Sequence, residues 1–233
     1  VVSSCSYEAL KFGIYSGMSM KIARRLCPQG MVVKGDSGKY SKYSGIVTDI
    51  IRESMPVVEK ASVDEFYMDM TGMDKIFGIA KYSAELRRKI MKETNLPISM
   101  GLSVNKTVSK VATSESKPSG SLTIDYGKEK IFLAPLSVRK LPMVGNETFQ
   151  VLSELGIKTV NTLQLMQQQA IEKVLGKNGQ TFWLRAQGID NTPIPHYYER
   201  DSLSTERTFD RDTIDVLKLT TILRAMAEAA VDL

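Results

Sequence analysis

The run Ser62-Val63-Asp64-Glu65 sets two neighbouring carboxylates between two apolar stretches, Met55–Val58 and Phe66–Met70. Adjacent acids inside an otherwise buried strand pair carry a desolvation cost unless something neutralises them. A divalent metal does so directly. Hard cations such as magnesium take oxygen ligands, and phosphate chemistry is their usual work. A solvated turn is the competing reading, because Asp and Glu are common in turns. On these four residues alone both readings stand.

The elements that must position the acids follow from periodicity. Tyr40, Tyr43, Val47, Ile50 and Ile51 share one face of a helix predicted from Lys39 and ended by Pro56. Residues 57–63 and 66–70 then read as an antiparallel hairpin with Asp64 and Glu65 at its tip. On the second strand Phe66, Met68 and Met70 alternate with Glu65, Tyr67 and Asp69. The first set faces a core. The second faces a functional side or solvent, with Asp69 read as a solvated or hydrogen-bonded acid. A second amphipathic helix covers residues 79–94, and Pro97–Ser103 reads as a strand. Asn105 to Ser116 reads as a third helix with Val108, Val111 and Ala112 inward. Lys117-Pro118-Ser119-Gly120 stops it, and Ser121–Ile124 returns as a strand. Helix, hairpin, helix, strand, helix, strand is the order of a split βαβ or ferredoxin-like core. Two long helices would cover one face of its sheet and leave the other for a ligand.

The flanks differ. Residues 5–30 are short helical pieces broken by Gly13, Gly17, Pro28 and Gly30. After residue 125 short helices take over, with a tight turn at Leu141–Asn146, further apolar positions at Leu152, Leu155 and Ile157, and another helix from Thr162. This has the form of a helix-hairpin-helix, whose turn presents backbone N–H groups to a phosphate. An ordinary αα corner with Gly at the turn is the simpler reading of the turn by itself. Trp183 reads as core and His196 as a surface residue. Pro193-Ile194-Pro195 reads as an extended linker, and Ser204–Phe209 as a short strand. Val216, Leu219, Leu223, Met226 and Ala230 make an apolar stripe on a last helix without a stop signal. Val1–Cys5 reads as the middle of a buried strand, so the chain is expected to be part of a longer one.

Composition narrows the class. The 233 residues are 42% hydrophobic and 24% charged, which suits a soluble protein of two or three small domains. A net charge of +5 and a pI of about 9.1 suit a nucleic-acid partner without demanding one. No apolar run is long enough to cross a bilayer, so no membrane role is expected, and nothing resembles a signal peptide. Cys5 and Cys27 lack a C-x-x-C spacing and read as two reduced thiols, which points to a cytoplasmic protein.

Several separate stretches agree on one family. Ser6–Gly13, Ala61–Glu65, Gly101–Lys106, Ser116–Gly120 and the Leu141–Gly156 hairpin region, in that order, resemble the Y-family of DNA polymerases, in particular its DinB-like translesion group. The resemblance implies an α+β fold: a ferredoxin-like palm with small helical fingers, a helical helix-hairpin-helix thumb and the beginning of an α/β little-finger domain. Residues 1–36 would be fingers, 37–125 palm, 126–192 thumb, 193–200 the linker and 201–233 the start of the little finger. Asp64 and Glu65 would be the catalytic, metal-ligating palm carboxylates of a site for two Mg²⁺ ions. A further acid on the first palm strand, and the aromatic that excludes ribonucleotides, would lie upstream of Val1.

By the same resemblance, Tyr7 and Lys117 would bind the triphosphate, and Ser62, Gly145 and Arg207 would contact DNA. Tyr7 read from its own pattern is a half-buried core tyrosine, Lys117 a cation at a helix C-terminus and Arg207 an exposed strand residue. Leu10 stands where many members carry an arginine for the phosphates, and Met143 where the hairpin often has Gly. Ser3 and Gly17 fall where the family keeps small residues over the nascent base pair, a roomy roof that weakens shape selection. The implied activity is template-directed, low-fidelity DNA synthesis past damage. The partners would be primer-template DNA, deoxynucleoside triphosphates and a sliding clamp, with the polymerase itself a monomer. A non-catalytic DNA-binding module and a nucleotidyl cyclase with acids on a similar hairpin are the alternatives.

Overall fold

The computed structural model describes residues 1–73, 78–195, 202–209 and 211–231. His196 and the second half of the expected linker lie outside them. By internal contacts the chain divides into two compact units, Val1–Tyr43 and Ser44–Leu233.

In the first unit, α1 (Tyr7–Leu10) and α2 (Met20–Leu26) gather around Val2, Ile14, Met18, Ala23 and Cys27. The expected strand at Val1–Cys5 does not form. Val2 alone is buried, held by N–H bonds to and from Met18 and Gly17, each 2.8 Å. Cys5 and Cys27 are both free thiols. The longest helix, α3 (Ser37–Ser54), starts two residues before Lys39 because Asp36 caps it, its carboxylate accepting from the Lys39 N–H at 3.1 Å.

The second unit holds two cores. Val47, Ile50 and Ile51 of α3 pack with Met55, Met70, and Leu86 and Ile90 of α4 (Ile79–Thr94). Against them lie Val58 of β1 (Val58–Lys60) and Phe66 and Met68 of β2 (Phe66–Met68), as the alternation predicted. Tyr40 and Tyr43, expected on the apolar face of α3, are exposed. Next come β3 (Met100–Leu102), α5 (Lys106–Glu115) and β4 (Ser121–Thr123). The second core joins Val108, Val111 and Ala112 of α5 to Leu133, Leu152, Val160, Leu163 and Ile171. Those residues belong to α6 (Glu129–Leu133), α7 (Asn146–Glu154), α8 (Val160–Leu165) and α9 (Gln168–Leu175). Ala186, at the end of α10 (Lys177–Ala186), completes it, and Trp183 packs on its edge.

The mixed α+β class is as expected, but the strands form two ladders. β1 and β2 pair antiparallel, with Val58 opposite Met68 and Lys60 opposite Phe66, while β3 and β4 pair parallel. Around the parallel ladder, close packing dictates two of the glycines. A Cβ on Gly101 would overlap the Ser109 carbonyl and the backbone of Thr113, so α5 lies tight on β3 only with Gly there. At Gly120 a Cβ would overlap the Ser116 carbonyl. Residues 204–209 are not a strand; no partner ladder reaches them among the described residues, and an unpaired strand has little to hold it. The last helix, α11 (Val216–Val231), keeps only part of its stripe half-buried: Leu219, Met226 and Ala230, with Val216 and Leu223 exposed.

Candidate active site

The hairpin tip is built by Ser62. Its hydroxyl donates to Asp64 Oδ1 at 2.7 Å and accepts from the N–H groups of Asp64 and Glu65 at 3.3 and 3.1 Å. The Ala61 and Ser62 N–H groups return to the Glu65 carbonyl. One hydroxyl therefore fixes both acids in a tight turn, and Ser62 is occupied by that task. Asp64 and Glu65 are exposed, which corrects the argument from burial: at an open tip the acids need no metal merely to be tolerated. Asp69 accepts from the Thr71 N–H at 2.8 Å and caps the turn after β2.

The polar face behind the tip is lined by cations of α5. Lys110 Nζ lies 2.7 Å from Glu65 Oε2. One turn earlier, Lys106 bonds both oxygens of Glu59, at 2.8 and 2.6 Å, and sits 4.8 Å from the Tyr67 ring centre. Partial burial works against the Lys110 charge. The Glu65 hydrogen bond and the neighbouring Tyr67, Glu65 and Asp64 outweigh it and hold the Lys110 pKa above its ordinary value. Burial raises the Tyr67 pKa; Lys110 opposes this, and the negative charges of Glu65, Glu59 and Asp190 add to it.

The N-terminus of α5 is itself tied down. Asn105 caps it, accepting from the Val108 N–H at 3.0 Å and donating to the Gly188 carbonyl at 2.8 Å. Asp190 Oδ2 accepts from the Thr107 hydroxyl at 2.6 Å and its N–H at 3.2 Å, while Oδ1 accepts from the Thr192 N–H. Sequence reasoning assigned no role to Lys106, Lys110, Glu59 or Asp190. The i, i+4 spacing of the two lysines was a readable signal of a shared face; the 83-residue separation of Asp190 from Thr107 was not.

The remaining expected residues fall as follows. Lys117 is exposed in the turn between α5 and β4, seven residues beyond Lys110. Tyr7 is half exposed on α1, in the first unit. Gly145 is the N-cap of α7, but its N–H turns back to the Met143 carbonyl at 3.0 Å. The expected anion-binding N–H is therefore not that of Gly145; the groups left over by the helix are those of Asn146, Glu147 and Thr148. Arg139 donates to the Asn146 side chain and stacks 4.4 Å from the Phe149 ring, which brings a cation to the same helix end. Arg207, off any strand, lines an open groove with Phe209, Arg211 and Lys218.

Magnesium fits the donor set at the tip. Among the described residues, Asp64 Oδ2 and Glu65 Oε1 have no hydrogen-bond partner and are hard oxygen donors. No group of three His, Cys, Asp or Glu gathers as a metal cage among the described residues. Magnesium does not require one, since it is commonly held by one or two carboxylates together with substrate phosphates and water.

Residues 1–114 match the impB/mucB/samB family, and residues 139–190 match the thumb domain of DNA polymerase iota. The chain belongs to the Y-family of DNA polymerases, in its DinB-like branch. Among Y-family relatives, the DNA polymerase IV of Dehalococcoides mccartyi is 37% identical over 214 residues, 91% of this chain and 55% of that protein. A DinB family error-prone DNA polymerase from Sulfolobus solfataricus superposes with a TM-score of 0.75 at 25% identity, covering 84% of this chain and 60% of that one. A Dbh ternary complex shares the fold with a TM-score of 0.74 at 23% identity, covering 97% and 68%. The chain thus spans about half the length of the curated relatives it matches. Tyr7, Ser62, Asp64 and Glu65 fall in the first matched segment and Gly145 in the second; Lys117 and Arg207 fall in neither. No helix among the described residues is long and apolar enough to cross a membrane.

Proposed function

We propose that the protein is a template-directed DNA polymerase of the low-fidelity translesion type, and that Asp64 and Glu65 carry its chemistry. The observation behind this reading is the pair of acids held by Ser62 at an open tip, backed by the lysine-lined face of α5, in a Y-family chain. Residues 1–36 serve as fingers, 37–125 as palm, 126–192 as thumb, and 201–233 begin the little finger. The substrates are primer-template DNA and a deoxynucleoside triphosphate. A sliding clamp is the accessory partner, the polymerase is a monomer, and its compartment is the cytoplasm.

In the reaction the primer 3′-hydroxyl oxygen bonds to the α-phosphorus, the bond to the β-phosphate oxygen breaks, pyrophosphate leaves and the hydroxyl proton passes to solvent. Two magnesium ions, when bound, would supply charge stabilisation for the attacking and leaving oxygens. Asp64 would be their protein ligand, and Glu65 would support the position nearest the primer end. Ser62 keeps one Asp64 oxygen turned inward and leaves the other open. Lys117 and Tyr7 meet the triphosphate oxygens, while the α7 N-terminus and Arg207 hold DNA phosphates without reading sequence.

Asp64→Ala in the full-length protein is expected to lower primer extension on the order of a thousandfold or more and to leave DNA affinity nearly unchanged. Extension at the wild-type rate would refute the assignment. DNA binding without extension by the wild-type protein would favour a non-catalytic DNA-binding role.

A further inference from the structure

Two lysines one turn apart on α5 each hold an acid of the β1–β2 hairpin, but the two pairs are unlike. Lys106 and Glu59 are 17% and 18% exposed, share two hydrogen bonds, and have the Tyr67 ring against the ammonium. Lys110 and Glu65 are 39% and 46% exposed and share one bond. The first pair is a fixed strut. The second is a contact that water and ions can reach.

We infer that Lys110 is the resting counter-ion of Glu65, a positioning residue that a divalent cation must displace to engage both oxygens of that carboxylate, since Lys110 holds Oε2 and leaves Oε1 open. The inference rests on the metal reading of Asp64 and Glu65. Without an ion, two neighbouring acids at an open tip repel each other, and the ammonium of Lys110 holds Glu65 toward α5, next to Asp64. An arriving cation offers Glu65 a hard, doubly charged partner, and Lys110 lets go. An exposed single-bond pair is weak, so the competition tunes cation affinity and does not block it. Once displaced, Lys110 cannot turn to Glu59, whose two oxygens Lys106 already fills.

Direct Mn²⁺ titration of the full-length protein without DNA or nucleotide, read by electron paramagnetic resonance, tests this. Lys110→Ala is expected to tighten Mn²⁺ binding about two- to fivefold. Lys110→Arg, which keeps the charge, should bind as wild type. In a Glu65→Gln background Lys110→Ala should change nothing further, a non-additivity that a merely structural role would not produce. Loss of binding in Asp64→Ala with an unchanged constant in Lys110→Ala overturns the inference alone. Unchanged binding in Asp64→Ala overturns the metal reading and this inference with it.

Discussion

Two helices of the second unit begin in opposite ways. At α5 the leading N–H groups are taken by protein: Asn105 caps Val108, and the distant Asp190 accepts from both the N–H and the hydroxyl of Thr107. At α7 the N-cap is Gly145, which has no side chain to offer, and no side chain caps the helix. A distant carboxylate thus takes up leading donors of one helix, whereas the leading donors of the other, among the described residues, meet no side-chain cap and lie at an end that carries the Arg139 cation as well as the first-turn acid Glu147. The closed end serves as a scaffold. It fixes the helix that carries Lys106 and Lys110 to the chain segment leaving α10, so the polar face behind the acids has a rigid back. The open end is suited to an external anion, as a phosphate-binding hairpin requires.

The largest effect on this contrast comes from opening the closed end. Asp190→Ala removes the acceptor for three donors and is expected to cost about 1–3 kcal/mol, measured by urea unfolding. Partial burial works against the Asp190 charge, but the hydrogen bonds from Thr107 and Thr192, with Arg185 nearby, outweigh it and hold its pKa below the ordinary aspartate value of 3.8. A depressed carboxylate stabilises the fold fully above that ordinary value, and the gain is lost as pH falls through the lower, folded value. The deficit of Asp190→Asn should therefore be full near neutrality and shrink in acid below about pH 4. A deficit that does not vary with pH would mean the carboxylate charge contributes nothing to the latch.

Closing the open end is the converse experiment. A Cβ at Gly145 meets nothing within 4 Å, so Gly145→Asp has room for a capping carboxylate. It should stabilise the protein by only a few tenths of a kcal/mol, since Gly is already a tolerable N-cap. Its larger consequence is electrostatic. A negative charge placed where a phosphate would sit should weaken primer-template binding severalfold and lower the salt slope by about 1, read by fluorescence anisotropy across a salt series. Unchanged affinity and slope would mean that α7 does not touch the DNA backbone.

How legible these ends were in the sequence varies with the range of the forces that make them. α4 runs from Ile79 to Thr94 as predicted, because local chemistry sets both limits: its apolar period, and Asn95 in the left-handed conformation at φ 56° that ends it. α3 was predicted late because the Asp36 cap went unread, although an acid three residues before a helical N–H is a local signal. α8 likewise starts at Val160 and not Thr162, with Thr159 as its cap. Ser204–Phe209 failed for a different reason: alternation specifies a face, but a strand exists only where another backbone completes its hydrogen bonds. At the site, the tip acids could be read from adjacent residues, but their Lys110 partner lies 45 positions away and depends on how α5 docks on the hairpin.

The smallest effect on DNA binding concerns the turn that leads into the open end. Met143 adopts φ 70°, in the left-handed region where a Cβ crowds the backbone. Its side chain is 68% exposed and so recovers little by packing. The conformation is held by what surrounds it: Val144 donates to the Leu141 carbonyl, Gly145 donates back to Met143, and Leu141 is almost fully buried in the second core. Met143→Gly should relieve the strain with little loss of contact, although the more flexible unfolded chain returns part of the gain. The expected net stabilisation is about 0.5–1 kcal/mol, a shift of a few degrees or less in Tm for a protein this long. DNA affinity should hold or rise slightly, because the α7 donors are unchanged and the turn adopts its geometry at lower cost. A destabilised variant would mean that the thioether makes contacts in the full-length protein worth more than the backbone strain.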